Sequence, residues 1–136
     1  MAPNLLLLSA AMTPEEFREH GHAMIDWIAD YIDDAGNRPV FPDIQPGDIR
    51  RQLAEHPPSA PQPFADVIAD LEEVIVPGLT QWQHPDFFAW FPSNITYPSI
   101  LGELMSAGLG INAMAWVTSP AATELETLML DWMHEL

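Results

Sequence analysis

Between Gln81 and Asn94 the chain reads Gln81-Trp82-Gln83-His84-Pro85-Asp86-Phe87-Phe88-Ala89-Trp90-Phe91-Pro92-Ser93-Asn94. Five aromatic side chains fall within ten residues, prolines bound them, and two small polar residues follow. Apolar surface carrying a few placed polar groups is how small-molecule pockets are built, so this stretch has the makings of a binding wall. Aromatics are also the largest contributors to ordinary cores, and composition alone favours packing. Elsewhere the chemistry-bearing residues are sparse. His20 and His22 lie two apart on a predicted helix and point to different sides, which suits solvation or capping better than a metal. Glu124 and Asp131 share a helix face, but without a third ligand they read as solvated carboxylates.

The 136 residues are enough for one small domain with a core. A formal charge of −16 repels phosphate backbones and anionic lipid, so neither nucleic acid nor a membrane is an expected partner. All four basic residues are arginines, Arg18, Arg38, Arg50 and Arg51, and the chain contains no lysine. The absence of cysteine excludes disulfides and thiolate metal sites, and no metal site is expected; a cytoplasmic location fits. Residues 1–11 carry a run of leucines from Leu5 to Leu8 without a basic flank, so they read as a disordered extension rather than an export signal.

The elements that would hold the aromatic stretch follow from pattern. Thr13-Pro14-Glu15-Glu16 is a capping box with proline in the first turn. Phe17, Met24, Ile25, Ile28, Tyr31 and Ile32 then recur at helical spacing, predicting about five turns that end near Gly36 at a left-handed cap. Between Pro39 and Pro63 lie seven of the 14 prolines, which predicts an extended connector, with a short helix across Pro46 to Leu53. Val40, Phe41 and Ile44 imply that the connector lies on something apolar. Phe64 to Val76 reads as a second amphipathic helix stopped by Pro77-Gly78, and Tyr97 to Gly108 as a third, with small residues at Gly102, Ser106 and Gly108 for close approach. The segment from Gly108 to Trp116 is too apolar for a surface loop and should be covered by protein. Ser119 as cap and Pro120 open a fourth helix, whose pattern is still running at Leu136, as in a truncated chain. With no alternating strand pattern, the predicted class is all-α with a long Pro-rich connector.

The combination Phe87-Phe88-Ala89-Trp90-Phe91-Pro92-Ser93-Asn94, then Ser119-Pro120-Ala121-Ala122-Thr123-Glu124-Leu125-Glu126 leading to Asp131-Trp132, resembles the group II pyridoxal-phosphate-dependent decarboxylases of the aromatic-L-amino-acid decarboxylase type. Glu16-Phe17 to Tyr31, Val40-Phe41-Pro42 to Arg50, and Pro77-Gly78 to Trp82 are similar to the same family's N-terminal region, so the resemblance runs from Met12 to Leu136.

The resemblance implies a larger α/β enzyme of the PLP-dependent transferase (fold type I) kind. Residues 12–96 would wrap a partner subunit in a homodimer, and residues 97–136 would begin the large cofactor domain. Pyridoxal 5'-phosphate serves such enzymes as the electron sink for the carbanion left by decarboxylation of an aromatic L-amino acid. The lysine, carboxylate and phosphate loop that hold it would lie beyond Leu136. No catalytic or cofactor-binding residue is therefore expected in this chain, which alone should be inactive and without bound cofactor. Its expected contribution is substrate-binding wall: Trp82, Trp90, Phe91 and Pro92 along the substrate ring and Ser93 near its polar head, with Asn112 and Met114 reaching the neighbouring subunit's pocket. Trp90, Ser93, Asn112 and Met114 depart from the commonest animal-type pattern, which leaves indole, phenol and catechol open as the preferred ring. Two other readings remain: a non-catalytic helical arm that docks on or regulates an intact decarboxylase, and one chain of a split enzyme.

Overall fold

The computed structural model describes residues 12–57, 59–91 and 94–136. Among the described residues every regular element is helical and there is no strand. The polypeptide divides into two units, one ending at Ser93 and the other beginning at Asn94.

The first unit opens with α1, Pro14–Asp33. Its start is the predicted capping box: the Thr13 hydroxyl accepts from the Glu16 N–H at 3.2 Å, and the Glu16 carboxylate accepts from the Thr13 N–H at 2.8 Å. Two orphan donors of the first turn are thus satisfied reciprocally. The end of α1 differs from expectation. Asp34 caps it in right-handed geometry, and the chain tightens into a 3-10 turn, Ala35–Asn37, so Gly36 is not a left-handed cap. The short-range bonds from the Asn37 N–H to the Asp34 carbonyl and from the Arg38 N–H to the Ala35 carbonyl close the end without a positive φ.

The connector then runs extended to α2, Asp48–Gln52, as predicted. The next helix is regular only over α3, Phe64–Asp70. It widens into a π turn, Leu71–Ile75, in which the Val76 N–H reaches back to the Leu71 carbonyl, and finishes as a 3-10 turn, Val76–Gly78. Pro77 has no N–H to continue the ladder. Gly78 also lets α2 pack closely: a Cβ there would lie 2.7 Å from Ile49 Cδ1, so the Ile49 side chain would have to shift to make room.

The packing of this unit converges on Gln81, which is 5% exposed. Its side-chain oxygen accepts from the Tyr31 hydroxyl at 2.7 Å, its amide nitrogen donates to the Leu79 carbonyl at 3.4 Å, and its backbone N–H donates to the Val40 carbonyl at 2.9 Å. One residue thereby ties α1, the connector and the start of the aromatic stretch together. Tyr31 is held in turn by Trp27, stacked at 5.3 Å, and by the Arg38 guanidinium 4.9 Å above its ring. Trp27 donates its indole N–H to Glu72 at 2.7 Å, which fixes the π turn to α1. His20 is not simply solvated, since its ring lies 4.9 Å from that of Phe64.

The second unit contains α4, Tyr97–Leu109, and α5, Pro120–Glu135. Thr96 and Ser99 form a second capping box at the head of α4, and Gly110, at φ 61°, closes it in the left-handed geometry that glycine adopts at least cost. Ser119 occupies the cap position of α5, but its hydroxyl makes no capping hydrogen bond; its carbonyl is engaged instead, accepting from the Thr123 N–H at 3.1 Å. The expectation that Gly108 to Trp116 is covered fails within this chain: Leu109, Ile111, Met114 and Trp116 are all exposed. A Cβ at Gly102 or Gly108 would likewise meet no described atom within 4 Å.

Replacing Gln81 with Leu should destabilise the first unit by about 1–3 kcal/mol, because Tyr31 loses its acceptor. Combining it with Tyr31→Phe should cost less than the sum of the two changes, as measured by urea unfolding in a double-mutant cycle; strict additivity would show that the bond carries no coupling. Thr13 hydrogen bonds hold the Glu16 carboxyl below the ordinary glutamate range. A depressed carboxyl stabilises the fold above its unfolded value and loses that contribution as pH falls through the folded one. The protection factors of the Thr13 and Glu16 amides, taken relative to intrinsic exchange at each pH, should therefore be higher at about pH 6 than at about pH 3, and Glu16→Gln should reduce that dependence.

Candidate functional site

The site is an aromatic cluster built from two distant stretches. The Gln81-to-Val40 backbone bond sets the connector beside the aromatic segment, and this register brings Phe41 next to Phe87 and Trp90. Phe87 is the buried centre at 8% exposure. Its ring lies 4.9 Å from Trp82, 6.0 Å from Phe41 and 6.2 Å from Trp90. Trp82 and Trp90 face one another at 5.8 Å with planes 31° apart, and Phe41 meets Trp90 edge-on at 6.2 Å and 83°.

The segment between these rings is held by His84. Its Nδ1 accepts from the Asp86 N–H at 2.9 Å, which leaves Nε2 as the protonated nitrogen, 3.1 Å from the Gly36 carbonyl. The imidazole is thus a strut between the end of α1 and the aromatic turn. Pro85 packs against Gly36 on the same side, at 3.6 Å from where a Cβ would stand.

Trp90 is the sole non-glycine residue among those described with positive φ, at 54°. That geometry costs a residue with a Cβ about 1–2 kcal/mol. Three aromatic neighbours, each contributing about 0.5–1.5 kcal/mol beyond area burial, are enough to offset it. The turn therefore exists because the rings hold it, and its effect is to put the chain's apolar surface outward. Trp82 remains 43% and Trp90 71% exposed, and Phe91 beyond them is 98% exposed. The exposed part of this surface is apolar and aromatic, the kind on which a flat ligand ring stacks, and Phe87 lies beneath it.

Of the residues singled out from sequence, Trp82 and Trp90 are brought together. Phe91 follows directly on Trp90 and makes no ring pair with the cluster. Pro92 and Ser93 lie outside the described residues. Asn112 and Met114 belong to the second unit, where the Asn112 side-chain oxygen accepts from the Met114 N–H at 3.1 Å. Thr118 completes that turn, donating to the Asn112 carbonyl at 2.8 Å, so Met114, 85% exposed, projects from a hydrogen-bonded loop. Glu124 accepts from the Trp116 indole N–H at 3.4 Å, a structural contact. Among the described residues no group of three potential ligands is placed to hold a metal ion, and no helix is long and apolar enough to cross a membrane. Phe41 and Gln81 were missed as parts of the site. The signal for Phe41 was a large aromatic inside a Pro-rich connector; for Gln81 there was none, because a glutamine in a loop carries no periodicity.

The profile of the pyridoxal-dependent decarboxylase conserved domain matches residues 46–136. The chain is 42% identical over 125 residues to the aromatic-L-amino-acid decarboxylase of Rattus norvegicus, covering 92% of this chain and 26% of that relative. It is 47% identical over 125 residues to a phenylacetaldehyde synthase of Arabidopsis thaliana, with the same coverage of each. Among solved structures, the Catharanthus roseus tryptophan decarboxylase in complex with L-tryptophan matches with a TM-score of 0.85 at 40% identity, over 90% of this chain and 26% of that one. The chain thus spans about a quarter of the length of these relatives. With the profile matched over most of its residues, the chain belongs to the pyridoxal-dependent decarboxylase family.

Proposed function

We propose that this chain is the N-terminal portion of a pyridoxal-phosphate-dependent decarboxylase acting on aromatic L-amino acids, and that it supplies one wall of the substrate pocket and part of a homodimer contact. The observation that carries this reading is the Trp82–Trp90 pair, two partly exposed indoles 5.8 Å apart that pack on the buried ring of Phe87. A rigid aromatic wall stacks a planar side chain with little loss of its own rotamer freedom. The Catharanthus roseus relative, which holds L-tryptophan, supports an aromatic amino acid as the ligand. On this reading Phe91 and Pro92 extend the wall and Ser93 meets the polar head of the substrate. Asn112 and Met114 serve the pocket of the neighbouring subunit; the projecting Met114 loop and the exposed apolar residues around it suit insertion into a partner.

The residues of this chain do not fit the cofactor itself. No lysine is present to bond its aldehyde. Three of the four arginines are also engaged with carboxylates one turn away: Arg18 with Glu15, Arg38 with Asp34 and Arg51 with Asp48. The work assigned to these residues is binding, orienting and excluding water, and the covalent chemistry belongs to other parts of a larger fold type I enzyme.

In the decarboxylase that carries this segment, Trp90→Ala should lower kcat/KM for its best aromatic amino acid at least about tenfold, roughly 1.4 kcal/mol, mainly through KM. Cofactor content, read from its visible absorbance, should be unchanged. Products should be assayed as both amine and aldehyde, given the synthase among the relatives, with the amine expected. An unchanged kcat/KM, or turnover of non-aromatic amino acids at comparable rates, would remove the wall from the pocket.

A further inference from the structure

Phe41 stands on the Pro-rich connector, 40 positions before Gln81 in sequence, yet among the described residues it is the ring from outside the aromatic stretch that pairs with Trp90, at 6.2 Å. Its place is not adjustable: Val40 beside it accepts the Gln81 N–H at 2.9 Å, so the connector is hydrogen-bonded in register with the start of the wall. Trp90 occupies a strained backbone conformation that its ring neighbours sustain. Of these neighbours, Phe87 and Trp82 meet it at tilted angles of 46° and 31°, whereas Phe41 stands nearly perpendicular to it at 83° in a T-shaped pair. An edge-to-face contact fixes the tilt of the ring it meets, because rotation of either ring loses the favourable alignment.

We propose that Phe41 is a specificity-determining positioning residue: through its edge contact it sets the tilt of the Trp90 indole, and so the width of the ring that the wall accepts. This rests on the reading of Trp82 and Trp90 as substrate wall. Phe41 itself need not touch substrate. The consequence is that selection between an indole and a phenol side chain is encoded partly in the connector, far from the aromatic stretch in sequence.

The test compares the decarboxylase that carries this segment with its Phe41→Leu and Phe41→Tyr variants, using L-tryptophan and L-tyrosine as substrates. A role confined to folding lowers the active fraction and reduces kcat/KM for both substrates by the same factor. Positioning instead changes the ratio of the two kcat/KM values, and Phe41→Leu is expected to shift it at least about fivefold. Phe41→Tyr keeps the ring, and its hydroxyl can reach water because Phe41 is half-exposed, so this variant should restore the parental ratio. Near-ultraviolet circular dichroism reads the tryptophan pair in the same proteins: the difference from the parent should be present in Phe41→Leu and absent in Phe41→Tyr. Equal losses on both substrates with the ratio unchanged, or a ratio shift that Phe41→Tyr fails to reverse, overturn the proposal. If the parent turns over no aromatic amino acid, the wall reading falls and the specificity claim with it, while the dichroism still decides whether Phe41 orients Trp90.

Discussion

A single buried amide holds three separate pieces of this chain in register. The Gln81 side chain accepts from Tyr31 on α1 and donates to Leu79, and its backbone donates to Val40 on the connector. A buried polar group with its partners removed is costly, so each element is fixed by the requirement to keep Gln81 satisfied. The aromatic cluster depends on this. Without the Val40 bond nothing aligns Phe41 with the wall, and without Phe41 one of the three rings that offset the positive φ of Trp90 is gone. The Trp27–Tyr31 stack and the Trp27 bond to Glu72 extend the same constraint to the turn that precedes the aromatic stretch.

Local chemistry was legible in the sequence wherever it is set within one turn. The Thr13–Glu16 box and the prolines at the heads of α1, α4 and α5 act over three or four residues, and each stands where its spacing places it. What the sequence hid is what depends on distant partners. Gly36 looked like a left-handed cap, yet Asp34 had already ended the helix and Pro85 lies over the glycine. The helix from Phe64 widens after Asp70 into a π turn that packs against α1 through Glu72, a change no hydrophobic period announces. Ser119 has the right residue type for a cap and makes no capping bond. The aromatic stretch was visible from composition, but its supporting ring, Phe41, comes from the connector, and the partners that make Gln81 a tether, Tyr31 and Val40, lie far from it in sequence.

The two units carry different kinds of surface. In the first, Ala35, Val76, Gln81 and Phe87 are buried, and the exposed apolar side chains include the Phe41, Trp82 and Trp90 rings. In the second, Leu109, Met114, Trp116 and Val117 are exposed, Met114 on a turn held by the Asn112 and Thr118 side chains. Within the pyridoxal-dependent decarboxylase family this chain carries no lysine, so none of its own side chains can form a Schiff base with the cofactor's aldehyde.

The most direct measurement of the wall is a crystal structure of the decarboxylase that carries this segment, soaked with its aromatic amino acid. The substrate ring should lie against the Trp82 and Trp90 faces within about 4 Å, with Phe41 still edge-on to Trp90 behind them. A substrate ring seated elsewhere, with the Trp82–Trp90 pair buried against protein alone, would contradict the account and leave the aromatic stretch as packing.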